Sequence, residues 1–410
     1  MLSVLHGVIL GWAVAALIFS GVSVYVTARL ARALRRRQDP ARWPSIALLR
    51  PCEGAEQGLH ENLASSLAAY GGARRVVLLV PSERDPSCAV ARAVAAAAPA
   101  GSIEVVVTHA ASRKNRKSAH LAVGLSHVLA PPGGQGAATA APEVIVQADS
   151  DVRLDDEALP ALVAALLERD GVAAAFAVPI EPDGVTFADR CASALLSASQ
   201  QDFLALRALS YLSGGVVVLA GALAAHRTDE LVATGGFASL EDLLGEDYEV
   251  SRRLRARGRE VEVSARAALC AIEGRGFREI AVRTARWQMV ARRQRGLLLF
   301  ASYPFLLAAT PLLLLASLGL LAFGQPLPLL VTSLAWAARA MLASVLRAAH
   351  GVPVSPWRAV TLVLAGELLM LASFPRALFG DEVVWRGRRL RIAPGGRIEP
   401  CEEPVASPPA

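Results

Sequence analysis

An almost unbroken apolar run over residues 4–25, followed at once by Arg29, Arg32, Arg35, Arg36 and Arg37, constrains this chain more than any other feature. The run is long enough to cross a bilayer core of roughly 30 Å. It also lacks the polar face that a helix packed on a soluble core would carry. A secretory signal peptide places its positive charge before the apolar stretch and a small-residue cleavage site after it. Here the order is reversed. The expectation is an uncleaved anchor with its N-terminus outside and its arginines in the cytosol.

Composition points the same way. Hydrophobic residues make up 54% of 410, and the mean hydropathy is +0.41, yet 19% of residues are charged. Such a balance implies a soluble domain joined to membrane segments. Further apolar segments cover residues 297–323, 327–345 and 360–371, the last extending toward Phe379 with Glu367 inside it. An ionisable residue in a span is a functional candidate, with a helix-packing contact as the alternative. The uncharged link at 323–327 is expected outside, and Arg347, His350 and Arg358 place the next link inside. Parity then sends the tail outside, whereas Arg386, Arg388, Arg389 and Arg391 argue for inside. An interfacial or re-entrant segment would reconcile the two rules. The net charge of +6 sits beside the apolar segments, which suits anionic headgroups. Aromatics are few and do not interleave with basic residues, so no nucleic-acid partner is expected. Five scattered cysteines show no zinc or redox spacing and fit a reduced cytosolic setting.

From 45 to about 271, short apolar runs alternate with helical patterns, which predicts a mainly parallel sheet. Strands are expected at 46–50, 76–80, 103–108 and 144–147, and helices at 61–67, 119–129 and 159–167. The fourth strand runs straight into Asp149-Ser150-Asp151. Two aspartates at i and i+2 on a strand end can lean toward one hard cation, whose natural partner is a substrate diphosphate. The plainer reading is a polar turn before a helix capped by Asp155 or Asp156. Glu53, Asp85 and Asp149 would share one rim of the sheet, although Asp85 before Pro86 also suits a turn. Ser112-Arg113-Lys114-Asn115-Arg116-Lys117 is either a solvated charge run or a diphosphate cradle at a helix start. The glycine-rich loop at 131–136 carries no evident chemistry. The apolar stretch 216–225 is too short to span. It reads equally well as a core element and as a membrane-facing or acceptor-lining segment.

Gly235-Gly236-Phe237 leads to Glu246-Asp247, an acidic pair opening a basic helix, where the helix dipole alone would favour carboxylates. Arg283-Thr284-Ala285-Arg286-Trp287 lies on a basic amphipathic stretch that continues through Arg292, Arg293 and Arg295. Arg283 and Arg286, one turn apart, face the same way. An interfacial helix is the competing reading.

Taken in order, these elements resemble the membrane-bound, ceramide glucosyltransferase-like family of inverting GT-A glycosyltransferases. Its pattern is, in order, an aspartate after an early strand, a D-S-D or D-S-x element, an E-D pair and (Q/R)-x-x-R-W. Asp85, Asp149-Ser150-Asp151, Glu246-Asp247 and Arg283 to Trp287 match it, with Asn115-Arg116-Lys117 similar to an N-x-K element. The resemblance covers nearly the whole chain. It implies an α/β GT-A domain, Rossmann-like with a mainly parallel sheet, in the cytosol between an N-terminal transmembrane anchor and C-terminal transmembrane helices. The division expected is anchor and basic linker (1–40), glycosyltransferase domain ending in an interfacial basic helix (41–296), transmembrane segments (297–380), and a basic then disordered tail (381–410).

By the same resemblance Asp85 binds the uridine part of a UDP-sugar donor, with Pro51 and Glu53 lining that pocket. Asn115 and Lys117 approach the diphosphate. Asp149 and Asp151 hold Mg²⁺ or Mn²⁺; animal members often lack the second aspartate. Asp247 is the general base, and Arg283, Arg286 and Trp287 close the acceptor and diphosphate side. The reaction implied is transfer of a hexose, glucose above all, to a lipid hydroxyl such as that of ceramide, at the cell inner membrane. Alternatives are a hopanoid-associated N-acetylglucosaminyltransferase, a processive polysaccharide synthase, or a non-catalytic membrane scaffold or transporter subunit. The retained Asp149, Asp151 and Asp247 oppose the last of these.

Overall fold

The computed structural model describes residues 1–36, 40, 42–110, 114–130, 141–182, 184–197, 219–271, 274–349, 352, 354–385 and 387–401. Ser112 and Arg113 of the basic cluster, the 131–136 loop, residues 216–218, Arg386 and residues 402–410 of the tail lie outside the described residues.

After the long helix α1 (Leu2–Arg36), the α/β domain opens with β1 (Ile46–Pro51), all six residues of which are buried. It lies in a seven-stranded sheet in the order β3-β2-β1-β4-β8-β6-β9. The other members are β2 (Arg74–Val80), β3 (Ile103–Val107), β4 (Val144–Ala148), β6 (Val172–Phe176), β8 (Leu223–Arg227) and β9 (Glu260–Val263). The strands β3, β2, β1 and β4 are mutually parallel, and β8 alone runs antiparallel to its neighbours. This is the Rossmann-like, mainly parallel α/β sheet expected. The central strands are apolar throughout because both faces are covered. Leu48, Leu78 and Val146 pack with Leu159 and Leu162, while Leu49, Leu79 and Ile145 pack with Leu121 and Leu125 on the other side. Leu159 and Leu162 belong to α5 (Ala158–Leu167), and Leu121 and Leu125 to α4 (Arg116–Leu129); α2 (Leu59–Ala64) and α3 (Pro86–Ala97) complete the early crossovers.

Local chemistry moves several boundaries. Asn115 caps α4 by accepting from Ser118 N, so Arg116 and Lys117 lie inside the first turn of a helix expected to begin at 119. Neither Asp155 nor Asp156 is the cap of α5. That position is Glu157, while Asp156 accepts from Ala69 N and Asp155 pairs with Arg266. Residues 223–225 are core strand; residues 219–222 before them border the site.

After α6 (Thr228–Ala233), α7 (Glu246–Ala256) and α8 (Phe277–Arg295), the segment expected to cross as one piece at 297–323 is broken. It forms α9 (Leu297–Ala301), α10 (Tyr303–Leu307) and α11 (Ala309–Leu321). Pro304 and Pro311 each sit in a first turn, where a missing N–H is tolerated but a continuous ladder is not. Among the described residues, three helices are long and apolar enough to cross a membrane: the Leu2–Ser23 part of α1, Leu327–Val345 within α12 (Leu327–Ala349), and α13 (Pro356–Phe379). Glu367 on α13 accepts from Thr310 N and Oγ1 at 2.9 and 3.1 Å and meets Arg339 Nε at 3.0 Å, so it ties three helices together. The tail then folds as β11 (Glu382–Trp385), β12 (Arg388–Ile392) and β13 (Ile398–Pro400). Val383, Leu390, Ile392 and Ile398 pack on Leu244, Ala285 and Met289 of the α/β domain. The tail is therefore on the α/β domain's side, as its arginines argue and against the parity count. Leu362 of α13 packs with Cys191 and Ala194, and Arg292 donates to the carbonyls of Leu378 and Gly380 at the helix's other end.

One buried group makes the core pH-sensitive. His226 on β8 is buried edge-on to the Phe237 ring, and burial lowers its pKa from 6.5 to about 4. The unfolded chain binds the proton first, so stability present above about pH 6.5 drains away as pH falls toward 4, by on the order of 3 kcal/mol. Thermal unfolding of detergent-solubilised protein from pH 7 to 5 should show a smaller loss in His226→Leu than in the wild type.

Candidate active site

A cleft of about 830 Å³ opens beyond the carboxyl ends of β1 and β4, between the start of α7 and the length of α8. Its floor is organised by Arg50, a fully buried residue in the otherwise apolar β1. The guanidinium donates to the carbonyl oxygens of Asp149, at 2.8 Å, and of Val152, beneath both ends of the Asp149-Ser150-Asp151 turn. It also donates to Asn62 O and, at 3.0 Å, to Ser66 Oγ. Burial pulls its pKa down to about 10, against the pull of the nearby Cys52, Asp151 and Asp149, so it stays charged.

Above the turn, Lys117 Nζ sits 2.6 Å from Asp149 Oδ1 and 3.6 Å from Glu246 Oε1. Burial alone would lower its pKa; Asp149, Glu246 and Asp247 outweigh that and hold it raised. Glu246 is pushed up to about 7 by burial, offset in part by Lys117 and reinforced by Asp247. Gly221 is the backbone hub between these groups. Its carbonyl accepts from Lys117 Nζ and Gln147 Nε2, both at 3.0 Å, and its N–H donates to Asp247 Oδ2 at 3.2 Å. A Cβ there would lie 3.3 Å from Asp247 and 3.4 Å from Lys117, so a side chain would crowd both. Tyr248 N donates to the other Asp247 oxygen at 2.8 Å. The base candidate is thus held by two backbone donors at a helix start.

Asp151 differs from its neighbour. Its Oδ1 is buried without a hydrogen-bond partner, and burial together with Asp149 and Glu56 pushes its carboxyl up to about 7. A buried acceptor lacking any donor, two residues from a second carboxylate, suits an oxygen-seeking divalent cation. Among the described residues no group of three or more His, Cys, Asp or Glu is arranged for a metal, so such an ion needs further oxygens from a bound substrate.

Along α8, Arg283, Arg286 and Trp287 all face the cleft, with the Arg283 guanidinium 4.7 Å above the Trp287 ring. Arg283 is oriented by Glu181, a buried residue just after β7 (Pro179–Ile180), at 2.6 Å. Glu181 also takes both Arg275 amines, at 3.0 and 2.7 Å, and Arg275 reaches Asp189. The strand β7 pairs with β10 (Ala268–Cys270), which also pairs with β5 (Val152–Arg153) directly after the D-S-D turn.

Pro51, Glu53, Lys117, Asp149, Asp151, Asp247, Arg283, Arg286 and Trp287 therefore meet in one cleft. Glu53 is paired there with Arg116. Two others stand behind the wall. Asp85 caps α3, its Oδ1 accepting from Ser87 and from Gly54 N; burial opposes its charge, but these bonds hold its pKa below the usual range. Asn115 is fully buried and bridges Leu243 O and Glu246. Sequence reasoning missed Arg50, Glu181, Gly221 and Trp385. An arginine inside an apolar strand is a legible signal; the other three carry none locally. Replacing Arg50 by Met should cost roughly 3 kcal/mol, since it strands several buried carbonyls. Thermal unfolding of the variant beside the wild type checks this.

The model of glycosyl transferase family 21 matches residues 12–398. Among solved structures, the mannosyltransferase PcManGT from Pyrobaculum calidifontis, in complex with GDP-Man and Mn²⁺, is 16% identical with a TM-score of 0.48, over 91% of this chain and 100% of that one. Glucosyl-3-phosphoglycerate synthase from Mycobacterium tuberculosis, in complex with Mn²⁺, UDP and phosphoglyceric acid, is 17% identical with a TM-score of 0.37, over 65% and 81%. No curated protein matches the chain. With the family's model spanning nearly its full length and the family's acidic and R-x-x-R-W elements drawn into one cleft, the chain belongs to glycosyl transferase family 21, the ceramide glucosyltransferase family, and is a glycosyltransferase.

Proposed function

We propose that this glycosyltransferase moves a hexose, glucose above all, from a UDP-sugar to the hydroxyl of a membrane lipid such as ceramide, with inversion. The observation that carries this reading is the two-ended character of the cleft. One end holds Glu53, Arg116, Lys117, Asp149 and Asp247; the other is walled by Leu195, Tyr303, Leu307 and Met370, the last on an apolar helix long enough to span. A charged donor suits the first end, and an acceptor with an apolar body and a single hydroxyl suits the second.

In this reading Pro51 and Glu53 line the nucleoside pocket, and Asp85 and Asn115 hold its walls in place from behind. Lys117, Arg283 and Arg286 face the diphosphate, and Trp287 borders the acceptor. Asp149 and Asp151 would hold Mg²⁺ or Mn²⁺, which when bound neutralises charge on the leaving diphosphate. Asp247 takes the proton of the acceptor hydroxyl as its oxygen bonds to the anomeric carbon. The bond from that carbon to the diphosphate oxygen breaks, and the electron pair leaves with UDP. One displacement with one base inverts the centre. The catalytic domain (41–296) would face the cytosol at the inner membrane, anchored by residues 1–40 and 297–380, with no nucleic-acid partner.

Asp247→Asn should lower turnover by a hundredfold or more while UDP-sugar still binds, read as UDP release from purified membranes. Turnover near the wild-type level would remove Asp247 from the base role. Chelation with EDTA should abolish donor binding and transfer, and added Mn²⁺ should restore both. Metal-independent turnover would overturn the assignment to Asp149 and Asp151. Mass spectrometry of lipids from cells with and without the protein identifies the sugar and the acceptor directly.

A further inference from the structure

The sequence marks the C-terminal residues only as basic, yet they reach the cleft. Val384 and Trp385 of β11 line it, and the Arg286 guanidinium lies 6.0 Å from the Trp385 ring centroid. We propose that the C-terminal three-stranded sheet is the outer wall of the acceptor end of the cleft, and that Trp385 determines which acceptor is accepted there. The proposal rests on the lipid-acceptor reading and adds to it the element that holds the lipid.

Two attachments keep the sheet in register with the chemistry. At the first, Leu244 N donates to Gly396 O at 3.0 Å and Ile398 N to Asp242 O at 2.8 Å, a few residues before Asp247. Gln294 of α8 fills the space between these chain segments. Its Nε2 donates to Gly245 O at 2.8 Å, and a Cβ at Gly245 or at Gly396 would lie 2.3 or 2.9 Å from its side chain. Gly396 also adopts φ +81°, in the left-handed region that favours glycine. At the second, Val383 and Leu390 are buried against Ala285 and Met289, on either side of Arg286. A wall fixed to the segment leading into the base's helix on one side and to the R-x-x-R-W helix on the other is held in register with the site.

Trp385 is also well placed by chemistry. Tyr303 packs on the same apolar cluster as Trp385, and Leu307 and Met370, which share a second cluster with Tyr303, also line the cleft from helices of the apolar C-terminal region. An apolar lipid body leaving those helices for Asp247 would pass the indole face, which offers a large rigid surface at low entropic cost. With only 5% aromatics in the chain, a tryptophan held at this spot by a dedicated sheet is a specific investment.

The test uses the full-length protein in nanodiscs containing ceramide, with UDP-glucose as donor. Trp385→Ala should raise the acceptor KM roughly tenfold while the donor KM stays within about twofold, and Trp385→Phe should recover most of the loss. Should Trp385→Ala not fold, Trp385→Leu carries the same comparison. An unchanged acceptor KM, or a fall in kcat and thermal stability with both KM values constant, would overturn the proposal and leave the lipid-acceptor reading standing. Wild-type protein that glucosylates a water-soluble hydroxyl acceptor but not ceramide would overturn that reading, and the wall with it.

Discussion

Arg50 is a full positive charge buried under the end of a central strand, and it is tolerable there because its N–H groups find four oxygens on two separate segments. Those oxygens belong to Asn62 of α2, to Ser66 just after it, and to both ends of the D-S-D turn. The requirement therefore fixes the geometry of the turn independently of any ligand. It also places a cation beneath two neighbouring carboxylates, Asp149 and Asp151, which lowers their mutual repulsion. Lys117 provides a second cation from above, drawn in by Asp149 and Glu246. The acidic rim is thus a layered charge arrangement in which Asp151 is left with an unpartnered oxygen. The place that lacks a donor is the place where chemistry needs one.

The same logic extends across the cleft. Glu181 satisfies both Arg275 and Arg283, so the first arginine of the R-x-x-R-W element is aimed by a residue a hundred positions earlier. Arg347, near the end of α12, donates to the backbone carbonyl of Glu181 and to Ser193 and Ser197. A helix of the apolar C-terminal region and the catalytic cleft consequently share one buried polar cluster. Breaking such a cluster leaves charges uncompensated, which resists relative sliding of the two parts. Site and membrane-region helices are built as one piece, and the C-terminal sheet closes over both.

Much of this was legible in the linear order of residues. The parallel strands read correctly because burial on both faces demands continuous apolar runs, and the Asp149–Asp151 and Glu246–Asp247 elements stood out as carboxylates at element boundaries. Misreadings came where a single residue overrode a pattern. Pro304 and Pro311 divide a stretch whose hydropathy alone suggests one helix, and Asn115 starts α4 three residues earlier than the apolar periodicity does. Asp85 looked like either a ligand or a cap, and its Oδ1 is a cap. Gly221 and Trp385 gave no signal, because one acts through its backbone and the other through where a distant hairpin happens to fold.

By itself the sequence determined the class of the molecule: an α/β glycosyltransferase domain between apolar segments, with its acidic motifs on strand and helix ends. Periodicity and charge order are local properties, and a chain cannot hide them. Only the tertiary structure decided which side carries the tail, which helices bury Glu367, how Arg50 and Lys117 bracket the acidic turn, and that Glu181 and Trp385 belong to the cleft. These depend on contacts between residues tens to hundreds of positions apart, whose energies come from exclusion of water and shared hydrogen bonds that no local window contains.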